Sequence, residues 1–269
     1  MNSWDEKEEN VLTALSLRLD SKKALVVGAS SGIGHEVARE FVLQGADVTV
    51  LADDEKVFEV AECLSQETGR VVKALRCDIT DRKLLRATLA AIDHLDILVH
   101  NAGFERLTPL GDLEAEDMFR RIIDVNLLGA YYVTNELAAR IHNGGRVIYT
   151  ASTYSKYAIA RMAAYASSKH ALVGMLRSFS HEFGLRRITV NAVCPGWVNT
   201  EFSNRSVRQI AADTGRSVAD VGDDVLRLQA MTGHLEARDV VGGFLFFASD
   251  LAKDVTGQTL HVDRGEYQD

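Results

Sequence analysis

The feature that most constrains this chain is a glycine-rich turn set between a β-like run and a helical one. Val27-Gly28-Ala29-Ser30-Ser31-Gly32-Ile33-Gly34 leaves the apolar run at 24–29 and passes directly into a helical stretch at 33–44. In such a turn Gly28 permits the tight reversal, Gly32 lets the backbone approach a pyrophosphate, and Gly34 lets the helix lie close to the strand. The helix start at Ser31 and Ile33 offers unpaired N–H groups and a positive dipole end to phosphate. The spacing is GxxxGxG rather than GxGxxG, so its meaning depends on the rest of the chain.

Beyond the turn, strand and helix patterns alternate. Further β-like runs at 47–52, 71–76, 96–100, 146–151, 189–193 and 259–262 are separated by helical stretches at 56–68, 81–92, 117–141 and 164–183. This pattern predicts right-handed βαβ units and a parallel sheet covered on both faces. A length of 269 residues suits one domain, and no linker or internal repeat divides it. Residues 1–23 read as a short arm whose Val11, Leu12, Leu15, Leu17 and Leu19 are able to dock, with the catalytic domain spanning 24–269. Residues 199–233 interrupt the alternation where a substrate lid would sit.

At the end of the second β run stands Ala52-Asp53-Asp54. A carboxylate there accepts hydrogen bonds from the adenosine ribose hydroxyls and repels the 2′-phosphate of NADP. Ser31 is not basic and no arginine stands at that strand end, so the expected cofactor is NAD rather than NADP. A solvated acidic turn is the plainer reading of Asp54.

Tyr165-Ala166-Ser167-Ser168-Lys169 puts a phenol and an ammonium on one helical face. A free phenol, with a pKa of about 10, is a poor base at neutral pH. A neighbouring Lys169 cation and an oxidised, positive nicotinamide would both favour phenolate. Ser152 closes a β run, where its hydroxyl can hold a substrate oxygen. Asn126 is a polar residue in an apolar helical stretch, and its amide needs partners; a water ordered beside Lys169 is one.

Together these residues resemble the classical short-chain dehydrogenase/reductase family from about Leu17 to Gly265. The resemblance is carried by Gly28 to Gly34, Asp78 in Cys77-Asp78-Ile79-Thr80, Asn101-Ala102-Gly103, Asn126, Ser152, Tyr165 with Lys169, and Pro195-Gly196-Trp197-Val198-Asn199-Thr200. It implies a single Rossmann-like, doubly wound α/β domain of about seven parallel strands with helices on both faces, assembled as a homotetramer. It also implies that Asp78 and Ile79 hold the adenine, while Asn101, Ala102 and Gly103 line the cofactor groove. Asn126, Ser152, Tyr165 and Lys169 would form a catalytic tetrad, with Lys169 on the nicotinamide ribose. Pro195 and Gly196 would lead to a carboxamide contact from Val198 and Thr200. The apolar Phe244-Leu245-Phe246-Phe247 and the long helix after Tyr165 are expected at subunit contacts. Val27, His100 and Arg264 depart from the family's usual threonine, asparagine and glycine. In an ungapped register the ribose acid falls on Ala52, one place before Asp53.

Composition narrows the partners. A net charge of −8 argues against nucleic acid or an anionic membrane. No apolar run approaches 18 residues and no secretory signal opens the chain, so a cytoplasmic protein is expected. Cys63, Cys77 and Cys194 lack metal-ligand spacing, so no metal is expected. Glu105, Arg106, Arg161, Asn204, Arg205 and Arg208 are candidate polar contacts, and Tyr154, Met162, Trp197 and Phe202 candidate apolar walls. The expected activity is hydride transfer between NAD and the CH–OH or C=O group of a small polar substrate, such as a sugar derivative, polyol or hydroxy acid. The alternatives are an NADPH-dependent reductase of 3-oxoacyl thioesters, or a non-catalytic dinucleotide-binding regulator on the same fold.

Overall fold

The computed structural model describes residues 17–268. Most of the expected arm lies outside these residues, but its last apolar residue, Leu19, is buried, and its N–H donates to the Gln44 carbonyl at 2.8 Å. The strands are β1 (Lys23–Val27), β2 (Asp47–Ala52), β3 (Lys73–Arg76), β4 (Leu95–His100), β5 (Ile141–Thr150), β6 (Thr189–Pro195) and β7 (Thr259–Val262). They form one sheet in the order β3-β2-β1-β4-β5-β6-β7, and every neighbouring pair is parallel. The order reverses between β1 and β4, the switch point at which doubly wound sheets open a crevice.

Each strand feeds both faces, as the side-chain period of two requires. Ala24, Val26, Val48, Val50, Ile97, Val99 and Ile148 pack on one side against α1 (Gly32–Leu43), α2 (Lys56–Thr68) and α9 (Val241–Ala248). Leu25, Val27, Leu51, Leu98, Val147, Tyr149 and Val190 pack on the other, against α3 (Arg82–Leu89), α5 (Ala130–Leu137) and α6 (Ala163–Glu182). Burial on both faces explains why these strands read as near-continuous apolar runs.

Parallel register brings the site together. Val27 stands opposite Leu51 on one side and His100 on the other, and Ala52 opposite Arg76. The glycine turn, Asp53 and Asn101 therefore leave the sheet along one carboxyl edge.

Three stretches differ from the sequence pattern. The single helix expected at 117–141 is α4 (Ala115–Ile123), a π-helical turn (Asp124–Gly129) and α5, and β5 already begins at Ile141. Ile141 pairs with Leu95, the register then shifts before Ile97 meets Arg146, and the intervening His142, Asn143 and Gly144 stay exposed, so no alternation marks that start. The region 199–233 carries two true helices, α7 (Glu201–Thr214) and α8 (Val218–Leu226). Gly215 ends the first at φ +67°, and the Ser217 hydroxyl caps the second by accepting from the Asp220 N–H at 3.1 Å. Finally, Phe244, Leu245 and Phe247, expected at a subunit contact, lie inside the core on α9.

Candidate active site

A groove of about 1250 Å³ runs along the carboxyl edge of the sheet. At one end it is lined by Gly28, Ser31, Gly32, Ile33, Asp53, Asp54, Asp78 and Ile79. Its middle is Asn101, Ala102 and Gly103, and its far end holds Ser152, Tyr165, Lys169 and the segment from Pro195 through Gly196 and Val198 to Thr200. The sequence-predicted residues thus converge, with Gly34 and Asn126 behind the wall rather than in it. Gly34 packs α1 on β1: a Cβ there would lie 2.1 Å from the Gly28 carbonyl oxygen, a backbone atom unable to yield. At Gly28, φ is +80° and a Cβ would lie 2.5 Å from the Ala102 N, so both the turn and the close approach require glycine.

These residues fit a dinucleotide. The Ser31 side chain does not cap α1, and the first turn of that helix carries no acidic residue. Its N–H groups and dipole are left for a pyrophosphate. A Cβ at Gly32 would meet nothing closer than the Thr200 methyl at 3.5 Å, so the backbone there faces open groove. Asn101 fixes the middle: its Nδ2 donates to the Gly28 carbonyl at 2.9 Å while its Oδ1 accepts from the Thr150 hydroxyl at 2.9 Å. Beside Asp53 the structure places an arginine that the strand end itself does not carry. Arg76, from the neighbouring strand, donates through Nε to the Asp53 carbonyl at 3.2 Å and pairs with Glu55.

Tyr165 and Lys169 lie one turn apart on α6, with the ammonium 5.5 Å from the phenol ring centroid. Lys169 Nζ donates to the Thr150 carbonyl at 2.7 Å. Burial pushes its pKa down to about 8, while the Cys194 thiol and the Glu105 carboxylate pull the other way. Burial also pushes the Tyr165 phenol well above its ordinary value; the Glu105 charge adds to this, and a hydrogen bond with the Ser152 side chain offsets part of it. The expected lowering by Lys169 is not among the influences on this phenol; desolvation, which disfavours the phenolate, dominates. Ser152 is set by a tight turn: its hydroxyl accepts from the Tyr154 N–H at 3.2 Å, and its own N–H donates to Ser155 Oγ at 3.2 Å.

Asn126 sits in the π-helical turn, and its amide is already used. Its Oδ1 accepts from the Phe104 N–H at 2.9 Å, and its Nδ2 donates to the Phe104 carbonyl at 2.9 Å and to Ser168 Oγ at 3.1 Å. The direct partners of the Asn126 amide are thus the Phe104 backbone and Ser168. A side chain at Gly103 would fill the space in front of that amide: its Cβ would lie 3.0 Å from Asn126 Oδ1 and 3.7 Å from Lys169 Nζ.

At the substrate end, Tyr154 and Phe202 flank the Tyr165 ring at centroid distances of 6.2 and 6.3 Å. Trp197, Glu105, Arg106 and Arg205 also line the groove. Four candidates do not. Met162 packs beneath Tyr165, Arg161 pairs with Asp213, Arg208 pairs with Glu201, and Asn204 donates to Asn199. Glu105 is buried, its Oε1 accepts from the Ser206 hydroxyl at 2.5 Å, and burial pushes its pKa up to about 7. Glu266 lines the same wall, a contact that nothing in the polar sequence around it foreshadows. No helix among the described residues is long and apolar enough to cross a membrane.

Residues 28–266 match a family model described as enoyl-(acyl carrier protein) reductase. Oxidoreductase UcpA of Salmonella typhimurium is 32% identical over 255 residues, covering 92% of this chain and 95% of that protein. The 3-oxoacyl-[acyl-carrier-protein] reductase FabG of the same organism is 32% identical over 258 residues, covering 93% and 99%. Among solved structures, a candidate NAD(P)-dependent gluconate 5-dehydrogenase from Beutenbergia cavernae, holding NADP at low occupancy, superposes with a TM-score of 0.84. It is 31% identical and covers 93% of this chain and 98% of its own. With its seven parallel strands, its glycine turn at the switch point and a match running nearly end to end, this oxidoreductase belongs to the classical short-chain dehydrogenase/reductase family.

Proposed function

We propose that the protein interconverts an alcohol and a carbonyl on a small polar substrate, with NAD preferred to NADP and Tyr165 as the acid–base residue. The observation that carries this reading is the burial of Tyr165, Ser152 and Lys169 together at one end of a groove whose other end suits a dinucleotide. When bound, the nicotinamide supplies or accepts the hydride, and its oxidised form adds positive charge beside the phenol.

The chain's own residues handle the proton and the oxygen. In the oxidation direction the Tyr165 phenolate takes the substrate hydroxyl proton, and Ser152 holds the same oxygen. Lys169, oriented by the Thr150 carbonyl, stabilises the phenolate and would hold the nicotinamide ribose when the cofactor binds. Asn126 acts as a positioning residue, holding Phe104 and with it Gly103 against the Lys169 side. The NAD preference rests on Asp53 and Asp54 in the ribose end of the groove. Arg76 is the basic group nearby, and Glu55 already neutralises it. A cytoplasmic homotetramer is the state this reading implies. The likeness to a gluconate dehydrogenase supports a polar substrate. The likeness to FabG supports a second reading, NADPH-dependent reduction of a 3-oxoacyl thioester, against which the Asp53 carboxylate stands.

Tyr165→Phe tests the reading, because it keeps the packing and removes the exchangeable proton. Loss of acid–base catalysis lowers turnover by about 10²–10⁴-fold, and cofactor binding should survive. Retention of more than about a tenth of wild-type kcat, against that expected range, would overturn the assignment.

A further inference from the structure

The Glu105–Ser206 hydrogen bond holds the loop after β4 against the lid helix α7. The chain neighbours of that bond, Arg106 and Arg205, both line the substrate end of the groove. They come from separate elements, yet the fold sets them close enough to repel. Burial and then the Arg205 charge both push the Arg106 pKa down, and only Glu105 opposes them. The Arg106 guanidinium donates through Nη1 to the Glu105 carbonyl at 2.7 Å and lies 6.0 Å from the Phe104 ring centroid. It makes no ion pair, and the Arg205 side chain makes neither a hydrogen bond nor an ion pair, among the described residues.

This is not how the other arginines around the lid are handled. Arg161 pairs with Asp213 at 2.6 Å, Arg216 with Asp224 at 2.6 Å, Arg227 with the same Asp224 at 3.1 Å, and Arg208 with Glu201. Two like charges in a partly desolvated groove cost free energy. An anion between them converts that repulsion into charge-assisted, bidentate hydrogen bonds. The carboxylates nearby are already engaged: Glu105 by Ser206, and Glu266 by Thr153, Tyr157 and the Trp197 N–H.

We propose that Arg106 and Arg205 form the anion-binding end of the substrate pocket, so that the substrate is a small hydroxylated anion. Its carboxylate or phosphate sits on the arginine pair, and its reacting hydroxyl reaches Tyr165. The proposal rests on the oxidoreductase reading above for the direction in which the substrate lies. It also narrows that reading, because a neutral polyol would leave the pair uncompensated.

The test uses glucitol and two six-carbon anions that each differ from it at a single terminus: gluconate, with a carboxylate at C1, and glucitol 6-phosphate, with a phosphate at C6. Oxidation of each is measured with NAD and with NADP, on the full-length wild type, Arg205→Ala and Arg205→Glu. Arg205 is exposed, so its removal leaves the core intact. The expected result is a preference of about tenfold or more in kcat/KM for one anion over glucitol, the scale of a charge-assisted contact. Arg205→Ala should erase that preference and Arg205→Glu should invert it. Preference for gluconate assigns a carboxylate, and preference for glucitol 6-phosphate assigns a phosphate. Equal or better use of glucitol, or a preference that survives Arg205→Ala, overturns the pair and leaves the oxidoreductase reading standing. If none of the three is oxidised, calorimetric titration with NADH present makes the same comparison. Anion-selective binding lost in Arg205→Ala would uphold the pair while counting against the redox reading, and the absence of selective binding overturns the pair.

Discussion

Thr153, the residue after Ser152, donates its hydroxyl to the Glu266 carboxylate at 3.0 Å across 113 residues of chain. The Tyr157 hydroxyl donates to the same oxygen, and the Trp197 N–H donates to the other at 3.2 Å. Tyr267 stacks on Tyr157 with centroids 6.0 Å apart. One carboxylate therefore ties the segment after β7 to the Ser152 turn and to the loop after β6. Leaving such donors unsatisfied costs about 1–3 kcal/mol when they are buried. Glu266→Ala should therefore lower the melting temperature by several degrees, at about 2–4 °C per kcal/mol for a chain of this size. It should also lower kcat by about tenfold, because Ser152 loses a fixed neighbour. Thermal melts and steady-state kinetics check both; an unchanged kcat would confine Glu266 to a structural role.

Asp53→Ala bears on the cofactor. If the carboxylate excludes a 2′-phosphate by repulsion, its removal should raise kcat/KM for NADP more than it lowers that for NAD. Arg76 then becomes the group that gains, because its partner Glu55 is exposed and free to yield. Kinetics with both cofactors on the wild type and the variant decide it. A wild type that uses NADP as well as NAD would remove the basis for the prediction.

Much of this architecture is legible in the sequence because period and turn chemistry agree. Val26 and Leu25 take opposite faces, as alternation requires, and Gly28 and Gly34 stand where only glycine fits. The residues that the sequence does not reveal depend on distant pairing. Arg76 reaches Asp53 because β3 stands parallel to β2 with Arg76 opposite Ala52, a register that no local pattern encodes. Glu266 looks like a polar tail until β7 carries it back over the Ser152 turn. Phe244 to Phe247 form an apolar run with no period, and such a run reads equally well as core or as interface. That the Asn126 amide needs partners is plain from its apolar surroundings; which partners it takes is set by the π-helical turn, and a helical hydrophobic pattern does not reveal a π turn.

Lys169→Ala should act differently from Tyr165→Phe. The ammonium donates to Thr150 and stands beside the phenol, so its loss removes phenolate stabilisation and the ribose contact together. Dinucleotide affinity and kcat should both fall, whereas Tyr165→Phe should lower kcat alone. Fluorescence titration of NADH alongside turnover separates the two patterns. Equal dinucleotide affinity in wild type and Lys169→Ala would show that the lysine does not reach the cofactor.

His100 predicts a pH effect on stability. It closes β4 where the family usually has asparagine, and it is buried with no hydrogen-bond partner at Nε2. Burial, and then the Lys169 charge, push its pKa from 6.5 down to about 3. Between those values the unfolded chain binds a proton that the folded chain refuses. Stability must then fall as pH drops below 6.5 and stop falling from this cause near pH 3. The slope from this one group is at most about 1.4 kcal/mol per pH unit. His100→Asn carries no titrating ring, so the stability difference between wild type and variant should shift toward the variant by about 1 kcal/mol between pH 6.5 and 5.5. Urea denaturation at both pH values measures it, because other groups titrate in both proteins and cancel in the difference. Parallel stability curves would mean that the imidazole finds a proton-accepting partner on protonation, and the neutral ring beside Lys169 would have to be abandoned.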